Sequence, residues 1–255
     1  MNWYNIIIAT HTTSPAMLSY LAPYNGTAIT EYLRDNGYDG LICYDDFSKH
    51  AKVYRQISLI QGRVPGRDAY PADIFNVHAA LLERAGKIKW ICGNGSITAF
   101  PIIETIHCDV TEYIATNLIS ITDGQLYTNG ILFKNGYRPA IDSGLSVSRV
   151  GSSAQFILLK LLVGTIKNDL TNYRQYLESS QLGDCDDDVL MNKGRSIEYI
   201  YYQDYLDGSA IEQTIFLLIL LLNGVFNNFI HQQYIYLYSL IKYLSSTEWI
   251  YWNYL

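Results

Sequence analysis

The stretch Gly40-Leu41-Ile42-Cys43-Tyr44-Asp45-Asp46 indicates which fold class the chain adopts. Its apolar run has the length of a buried strand and ends abruptly in two aspartates. The residues that follow, Phe47–Gln61, carry apolar side chains at helical spacing and stop at Gly62. A buried strand that leads directly into a helix is typical of the α/β class with a parallel sheet.

Further elements of the first half continue this alternation. A helix is predicted over Asp73–Ala85, with Asp73 as its cap and Gly86 at its end, and Glu31–Gly37 is predicted to close a shorter helix. Additional strands are predicted from short apolar runs at Tyr4–Ala9, Ile97–Ile103 and Asn117–Ile121. We therefore expect a parallel sheet covered by helices on both faces, over residues 1–150.

After about residue 150 the sequence has the pattern of nearly continuous helix, and no proline follows Pro139. The predicted helices are Ser152–Leu177, Asp187–Tyr202, Ile211–Phe229 and a final segment over His231–Leu244. This pattern predicts an all-α helical bundle over residues 151–255. The apolar run Ile215–Leu222 is too short to cross a membrane, because Asn223 follows it, and it is predicted to be a buried core helix.

Composition excludes several classes of protein. Apolar residues make up 49% of the 255 residues and charged residues 16%, which is typical of a folded globular chain. The net charge is −6 and no lysine- or arginine-rich stretch occurs, so nucleic-acid binding is not expected. The four cysteines are scattered, which favours a reducing compartment over a disulfide framework or a zinc site. The 23 tyrosines are consistent with an AT-rich, organelle-type genome.

Asp45 is the first candidate for chemistry. An aspartate at the carboxyl end of an apolar strand is the Walker B arrangement, in which the carboxylate meets a nucleotide-bound Mg²⁺ directly or through water. An ordinary aspartate turn or helix cap is the commoner alternative. No G-x-x-x-x-G-K-[ST] phosphate loop occurs, and the only Gly-Lys pair is Gly86-Lys87. The residues present are therefore expected to bind ATP poorly by themselves.

A second candidate is Arg149, within Gly144-Leu145-Ser146-Val147-Ser148-Arg149-Val150-Gly151. An arginine on a tight loop bounded by glycines can be presented to the phosphate of a neighbouring chain. A structural ion pair is the leading alternative from spacing alone. Glu104, at the end of a predicted strand, and Arg138-Pro139 are further candidates, and for Glu104 a buried structural pairing is an equal alternative.

Several longer stretches, read together, resemble the alpha subunits of mitochondrial-type ATP synthases across almost the whole chain. They include Tyr44-Asp45-Asp46-Phe47-Ser48-Lys49, Pro65-Gly66-Arg67-Asp68-Ala69-Tyr70-Pro71, Ile119-Ser120-Ile121-Thr122-Asp123-Gly124-Gln125 and Ser146-Val147-Ser148-Arg149-Val150-Gly151. The resemblance implies the C-terminal part of a RecA-like P-loop domain followed by a helical bundle. The family's N-terminal barrel and P-loop have no counterpart here, which implies a split or truncated subunit.

The resemblance also implies roles for individual residues. Asp45 matches the Walker B aspartate, which binds Mg²⁺ through water. Arg149 matches the arginine that reaches the nucleotide of the catalytic beta subunit, and Ser146 matches a serine required for activity. The residues expected near the ATP or ADP of the alpha subunit itself are Glu104, Arg138, Pro139 and Gln203. Gln203 requires a one-residue shift, since Tyr202-Gln203-Asp204 stands where the family has Gln-x-Gln.

The implied function is that of a non-catalytic alpha-subunit fragment in the rotary, proton-translocating ATP synthase. Its expected partners are an N-terminal alpha fragment, the beta subunit, the gamma subunit of the central stalk and the peripheral stalk. The expected location is the matrix side of the mitochondrial inner membrane, with membrane contact only through the complex. The alternative is a degenerate fragment with a purely structural or assembly role.

Overall fold

The computed structural model describes residues 5–11, 13–105, 109–180, 188–203, 208 and 210–226. The chain divides into two compact units, residues 1–123 and 124–255. Each unit is described by itself below. The functional domain boundary at residue 150 stays a prediction.

The first unit contains a small parallel sheet with helices around it. Its elements are α1 (Ala16–Asp35), β1 (Asp39–Tyr44), α2 (Phe47–Ile60), α3 (Ile74–Leu82), β2 (Ser96–Pro101) and α4 (Tyr113–Ile121), with 3₁₀ turns at Arg67–Ala69 and Trp90–Cys92. Strands β1 and β2 pair in parallel, from Asp39 opposite Ser96 to Tyr44 opposite Pro101. The α/β class and the strands predicted near Gly40–Tyr44 and Ile97–Ile103 are confirmed.

The core of this unit forms where α2, α3 and α4 bury their apolar faces. Phe47, Ile74 and Leu81 are almost completely buried. On α4 the buried residues Ile114, Ala115 and Leu118 are spaced at i, i+1 and i+4, which places them on one helical face.

Two strand predictions in this unit are wrong. Asn117–Ile121 lies in α4, because the helical spacing of its apolar residues outweighs the β-branched composition. Residues 5–9 of the predicted strand Tyr4–Ala9 form no strand, and Ile7 is 89% exposed. A buried strand needs a hydrogen-bonded neighbour, and in the described part of the chain the parallel sheet contains β1 and β2 as its two strands.

The cap predicted for α3 is also wrong. Asp73 occupies the N-cap position, but its side chain makes no capping hydrogen bond. Its carboxylate instead accepts hydrogen bonds from the Tyr54 hydroxyl at 2.7 Å and from Arg63 at 3.2 Å. The aspartate therefore joins α3 to α2 and to the segment after it.

The second unit is mainly helical. Its elements are β3 (Gly124–Gln125), α5 (Gly130–Lys134), β4 (Val147–Ser148), α6 (Gly151–Ala154), α7 (Ile157–Ser180), α8 (Asp188–Tyr201) and α9 (Ile211–Leu222). The long helix predicted over Ser152–Leu177 is divided, because Gln155 has an extended backbone between α6 and α7. The predicted final segment His231–Leu244 lies outside the described residues.

Helices α7, α8 and α9 share one apolar core. Ile166, Leu170 and Tyr173 on α7 are buried at i, i+4 and i+7, and they pack with Ile197 of α8 and with α9. Leu217, Leu218 and Leu221 of α9 belong to this core, as predicted for a buried apolar helix. Within the described ranges, each helix is too short or too polar to span a membrane.

Candidate functional site

The carboxyl ends of β1 and β2 lie at the same edge of the parallel sheet. Beyond the strands, the Ile102 N–H donates to the Tyr44 carbonyl at 3.0 Å, and the Phe47 N–H donates to the Ile102 carbonyl at 2.9 Å. These bonds hold the segment after β2 against the junction between β1 and α2. Asp45 occupies this junction and is exposed.

Ser48 brings Glu104 to the same edge. The Glu104 N–H donates to the Ser48 hydroxyl at 3.2 Å, and that hydroxyl lies 3.3 Å from the Glu104 carbonyl. Ser48 is in the first turn of α2, directly after the two aspartates. The structure therefore brings together Asp45 and Glu104, which are far apart in the sequence.

Asp46 has a structural role at the start of α2. Its Oδ1 accepts the Lys49 N–H at 2.6 Å and its Oδ2 lies 3.0 Å from the Lys49 ammonium, so the side chain caps the helix. Of the two aspartates that follow β1, it is therefore Asp46 that caps the helix, and Asp45 does not. A cis peptide bond joins the two aspartates.

Lys49 is a member of this edge that the sequence analysis did not single out. Its hydrogen bond to Asp46 raises the pKa of the Lys49 ammonium above its usual value, and the charges of Asp46, Glu104 and Asp45 act in the same direction. The ammonium therefore pairs with Asp46 at 3.0 Å and also interacts with the charges of Glu104 and Asp45. This arrangement depends on the fold, because the hydrogen bonds of Ile102 and Ser48 bring Glu104 to the start of α2.

The donor set at this edge fits a nucleotide-bound Mg²⁺ better than a protein-only metal site. Among the described residues, no cluster of three or more histidine, cysteine, aspartate or glutamate side chains could hold a metal ion. Mg²⁺ in nucleotide sites is typically held by one or two carboxylates, phosphate oxygens and water. Asp45 and Glu104, which are both exposed at this edge, match that requirement.

In the second unit, Arg138, Pro139 and Gln203 are brought together. The Gln203 N–H, just after α8, donates to the Arg138 carbonyl at 2.8 Å, and a cis peptide bond joins Arg138 to Pro139. The Arg138 guanidinium donates to the carbonyls of Phe133 at 2.9 Å and Tyr137 at 2.8 Å. It also stacks on the Phe133 ring, with its central carbon 3.7 Å from the ring centroid. Both Pro139 and Gln203 are exposed.

Ser146 and Arg149 belong to a second region of this unit, around the antiparallel pair of β3 and β4. The half-buried Ser146 hydroxyl accepts the Tyr127 N–H at 3.0 Å, which gives it a structural role in the loop before β4. Arg149 follows β4 directly and is exposed. The Gly151 N–H donates to the Ser148 hydroxyl at 2.9 Å, so hydrogen bonds anchor the chain on both sides of Arg149.

Gly124 allows this pair of strands to approach closely. A Cβ atom at this position would overlap the Val147 carbonyl oxygen and lie 3.0 Å from the Ser148 Cα. The glycine is therefore required by the register that places Gly124 opposite Ser148.

Comparison with known proteins relates the chain to a family of nucleotide-binding proteins. Residues 2–148 match the family model described as the ATP synthase alpha/beta family, nucleotide-binding domain. The matched region contains Asp45, Glu104, Arg138, Pro139 and Ser146, and it ends directly before Arg149.

Curated relatives extend the similarity into the helical region. The chain is 46% identical to ATP synthase subunit alpha of Orientia tsutsugamushi (strain Ikeda), over 87% of this chain and 44% of that protein. It is also 46% identical to ATP synthase subunit alpha of Clostridium botulinum (strain Eklund 17B / Type B), over 84% of this chain and 43% of that protein. The subunit alpha of Anaplasma phagocytophilum (strain HZ) is likewise 46% identical, over 83% of this chain and 42% of its own length.

These three relatives are bacterial, and the chain spans less than half of the length of each. The match to the family model covers more than half of the chain. The chain belongs to the ATP synthase alpha/beta family.

Proposed function

We propose that the chain acts as part of a non-catalytic alpha subunit in a rotary, proton-translocating ATP synthase. In this role it supplies Arg149 to the catalytic site of a neighbouring beta subunit and contributes to a regulatory ATP site of its own. The observation that carries the proposal is the position of Arg149, which is exposed between hydrogen-bonded anchors at Ser148 and Gly151. The names of the curated relatives give the biochemical context.

Arg149 suits charge stabilisation in phosphoryl transfer. A guanidinium presents a planar fork of donors that matches phosphate oxygens, and it stays charged at all physiological pH values. Arginines that act in this way contribute on the order of 10³–10⁵ in turnover in other phosphoryl-transfer enzymes. The residue supplies charge and orientation, while the bond-breaking chemistry belongs to the beta subunit.

Asp45 and Glu104 are the proposed contribution of the first unit to the regulatory site. Asp45 would hold Mg²⁺ through water, and a bound Mg²⁺ neutralises charge on the phosphates of ATP or ADP. Glu104 lies at the same edge because of its bonds to Ser48. The phosphate loop comes, in this proposal, from sequence outside these 255 residues, either on the same polypeptide or on a separate N-terminal alpha fragment.

Arg138, Pro139 and Gln203 are the proposed contribution of the second unit. The hydrogen bond from the Gln203 N–H to the Arg138 carbonyl places an exposed amide side chain near an exposed proline. An amide can both donate to and accept from an adenine edge, so Gln203 is the candidate for base recognition.

The proposed partners are the beta subunit, the gamma subunit of the central stalk and the peripheral stalk. The proposed location is the matrix face of the mitochondrial inner membrane, reached through the complex. The tyrosine-rich composition supports an organelle genome as the origin.

A purely structural or assembly role is the second candidate function. One observation favours it, because the Arg138 guanidinium is engaged by two backbone carbonyls and by the Phe133 ring. An arginine whose guanidinium already has these partners can stabilise the fold without a bound nucleotide.

Isolation of the complex through an affinity tag on this chain tests the proposal. We expect a beta subunit to be recovered in equal amount, with Mg²⁺-dependent nucleotide binding that Asp45→Asn weakens. Asp46→Asn is the matched control, since asparagine caps helices as well as aspartate does. Recovery of the complex with identical nucleotide binding in wild type and Asp45→Asn would favour the assembly role.

A further inference from the structure

Arg174 on α7 contacts the loop that precedes β4. Its Nη1 donates to the Ser143 hydroxyl at 3.1 Å and lies 3.7 Å from Asp142 Oδ1. The side chains of Arg174 and Asp142 are 33% and 22% exposed, so the pair is partly shielded from solvent. Neither residue belongs to the site assigned above.

Asp142 shapes the turn that follows it. Its Oδ1 accepts the N–H groups of Gly144 at 2.9 Å and Leu145 at 3.3 Å. Its carbonyl accepts the Ser146 N–H at 3.0 Å, and its own N–H donates to the Tyr127 carbonyl at 2.8 Å. The Asp142 side chain therefore shapes the turn through Gly144 and Leu145, while its backbone holds Ser146 directly before β4.

Arg174 also acts on the pair formed by Tyr137 and Glu198. The Tyr137 hydroxyl donates to Glu198 Oε1 at 3.2 Å. Burial raises the pKa of Glu198 above its usual value, and the charge of Arg174 opposes this effect. The charge of Arg174 thus acts on Glu198 as well as on the turn before β4.

We propose that Arg174 is a positioning residue, which holds the turn at Asp142–Leu145 in the shape that presents Arg149 to the neighbouring subunit. This inference rests on the proposed function. The guanidinium meets a hydroxyl and a carboxylate at once, which a flexible point charge reproduces only in part. Without Arg174, the Asp142 carboxylate loses the cation that fixes its orientation toward the two backbone N–H groups.

The test compares variants within the assembled complex. Arg174→Ala is expected to lower kcat for ATP hydrolysis on the order of 10-fold with KM unchanged, because small displacements of a transition-state group lower the rate rather than substrate binding. Arg174→Lys is expected to recover part of the loss. The double variant Arg174→Ala, Asp142→Ala should lower kcat little more than either single variant does. Each single change already removes the same interaction.

Lys193→Ala is the matched control. Lys193 of α8 forms an ion pair with Asp169 of α7 at 2.8 Å, and the two side chains are 31% and 22% exposed. This ion pair joins α8 to α7 and does not involve the turn at Asp142–Leu145. Its loss should therefore destabilise the helices to a similar extent and leave kcat unchanged.

Hydrogen exchange supplies a second measurement that does not depend on turnover. In Arg174→Ala the N–H groups of Gly144 and Leu145 should exchange faster than in Lys193→Ala. Equal exchange in both variants, or wild-type kcat in Arg174→Ala, would overturn the positioning role. If Arg149→Ala still abolishes turnover in that case, the proposed function stands and only this inference fails. Wild-type turnover in Arg149→Ala would overturn both.

Discussion

The hydroxyl of Ser48 lies 3.2 Å from the backbone nitrogen of Glu104 and joins the start of α2 to the segment after β2. Through this contact, two carboxylates that follow different strands reach one edge of the sheet. Ser48 is therefore expected to matter to nucleotide binding without touching the nucleotide.

Ser48→Ala should weaken nucleotide binding at the regulatory site of the assembled complex. The variant removes the acceptor for the Glu104 N–H, which costs about 1 kcal/mol or ~5-fold in Kd. Fluorescent-nucleotide titration measures the effect. Ser120→Ala is the control, because the Ser120 hydroxyl donates only within α4, to the Asn117 carbonyl at 2.6 Å. An equal Kd in both variants would show that the Ser48 contact does not shape the site.

Asp46→Ala should destabilise the chain by about 1–2 kcal/mol, because it removes the side-chain acceptor at the start of α2. Asp46→Asn should retain most of the stability, since the amide oxygen still accepts the Lys49 N–H. Urea unfolding, followed by pulse proteolysis, compares the two variants. If both variants lose the same stability, the charge of Asp46 matters more than the cap.

The stability of the first unit should fall as the pH is lowered below about 6.5. Burial, with a smaller effect of His50, lowers the pKa of His78 to about 3. Between that pH and the unfolded value of about 6.5, the unfolded chain binds more protons than the folded one. Protonation therefore favours unfolding in this window, by about 1 kcal/mol for each pH unit.

The hydrogen bonds of the two histidines indicate the substitution that tests this expectation. His50 Nε2 lies 3.3 Å from the Tyr20 carbonyl, which can only accept, so His50 Nδ1 accepts from His78 Nε2 at 3.3 Å. His78→Gln keeps a donor and does not titrate, so it should reduce the slope of unfolding free energy against pH between 6.5 and 4.5. The part contributed by His50, whose pKa is also lowered by burial, should remain. His11→Gln removes an exposed imidazole and serves as the control. An unchanged slope in His78→Gln would contradict the assignment.

Gly124→Ala should lower turnover of the complex by disturbing the pair of β3 and β4. The added methyl group overlaps the Val147 carbonyl, and such overpacking costs about 1–3 kcal/mol. Gly130→Ala is the matched control, since no atom lies within 4 Å of the Cβ position. Steady-state hydrolysis rates of the two variants should differ. If they agree, the close approach of the strands does not position Arg149.

Local sequence patterns were sufficient for the elements around Asp45. The apolar run before it and the helical spacing after it predicted β1 and α2 to within about a residue. For α1, the sequence predicted only the end of the helix, at Glu31–Gly37. The helix in fact begins at Ala16 and contains Pro23. Proline in a helix interior normally ends it, so the tertiary contacts of α1 outweigh a local signal here.

The site was only partly predictable for a similar reason. Asp45 and Glu104 were identified because each follows an apolar run, a pattern visible in the sequence. The parts played by Ser48, Lys49 and Arg174 depend on residues brought together by the fold, and no local pattern marks such contacts. Asn117–Ile121 shows the opposite error, since its β-branched residues indicated a strand where packing favours a helix.

The rate of ATP hydrolysis by an Arg149→Ala complex shows whether this arginine acts at the catalytic site. We expect the variant to assemble with normal subunit stoichiometry and its ATP hydrolysis rate to fall on the order of 10³-fold. Arg149→Lys should remain strongly impaired, because an ammonium lacks the planar fork of donors. A fully assembled Arg149→Ala complex with near-normal hydrolysis would show that Arg149 has no role in phosphoryl transfer.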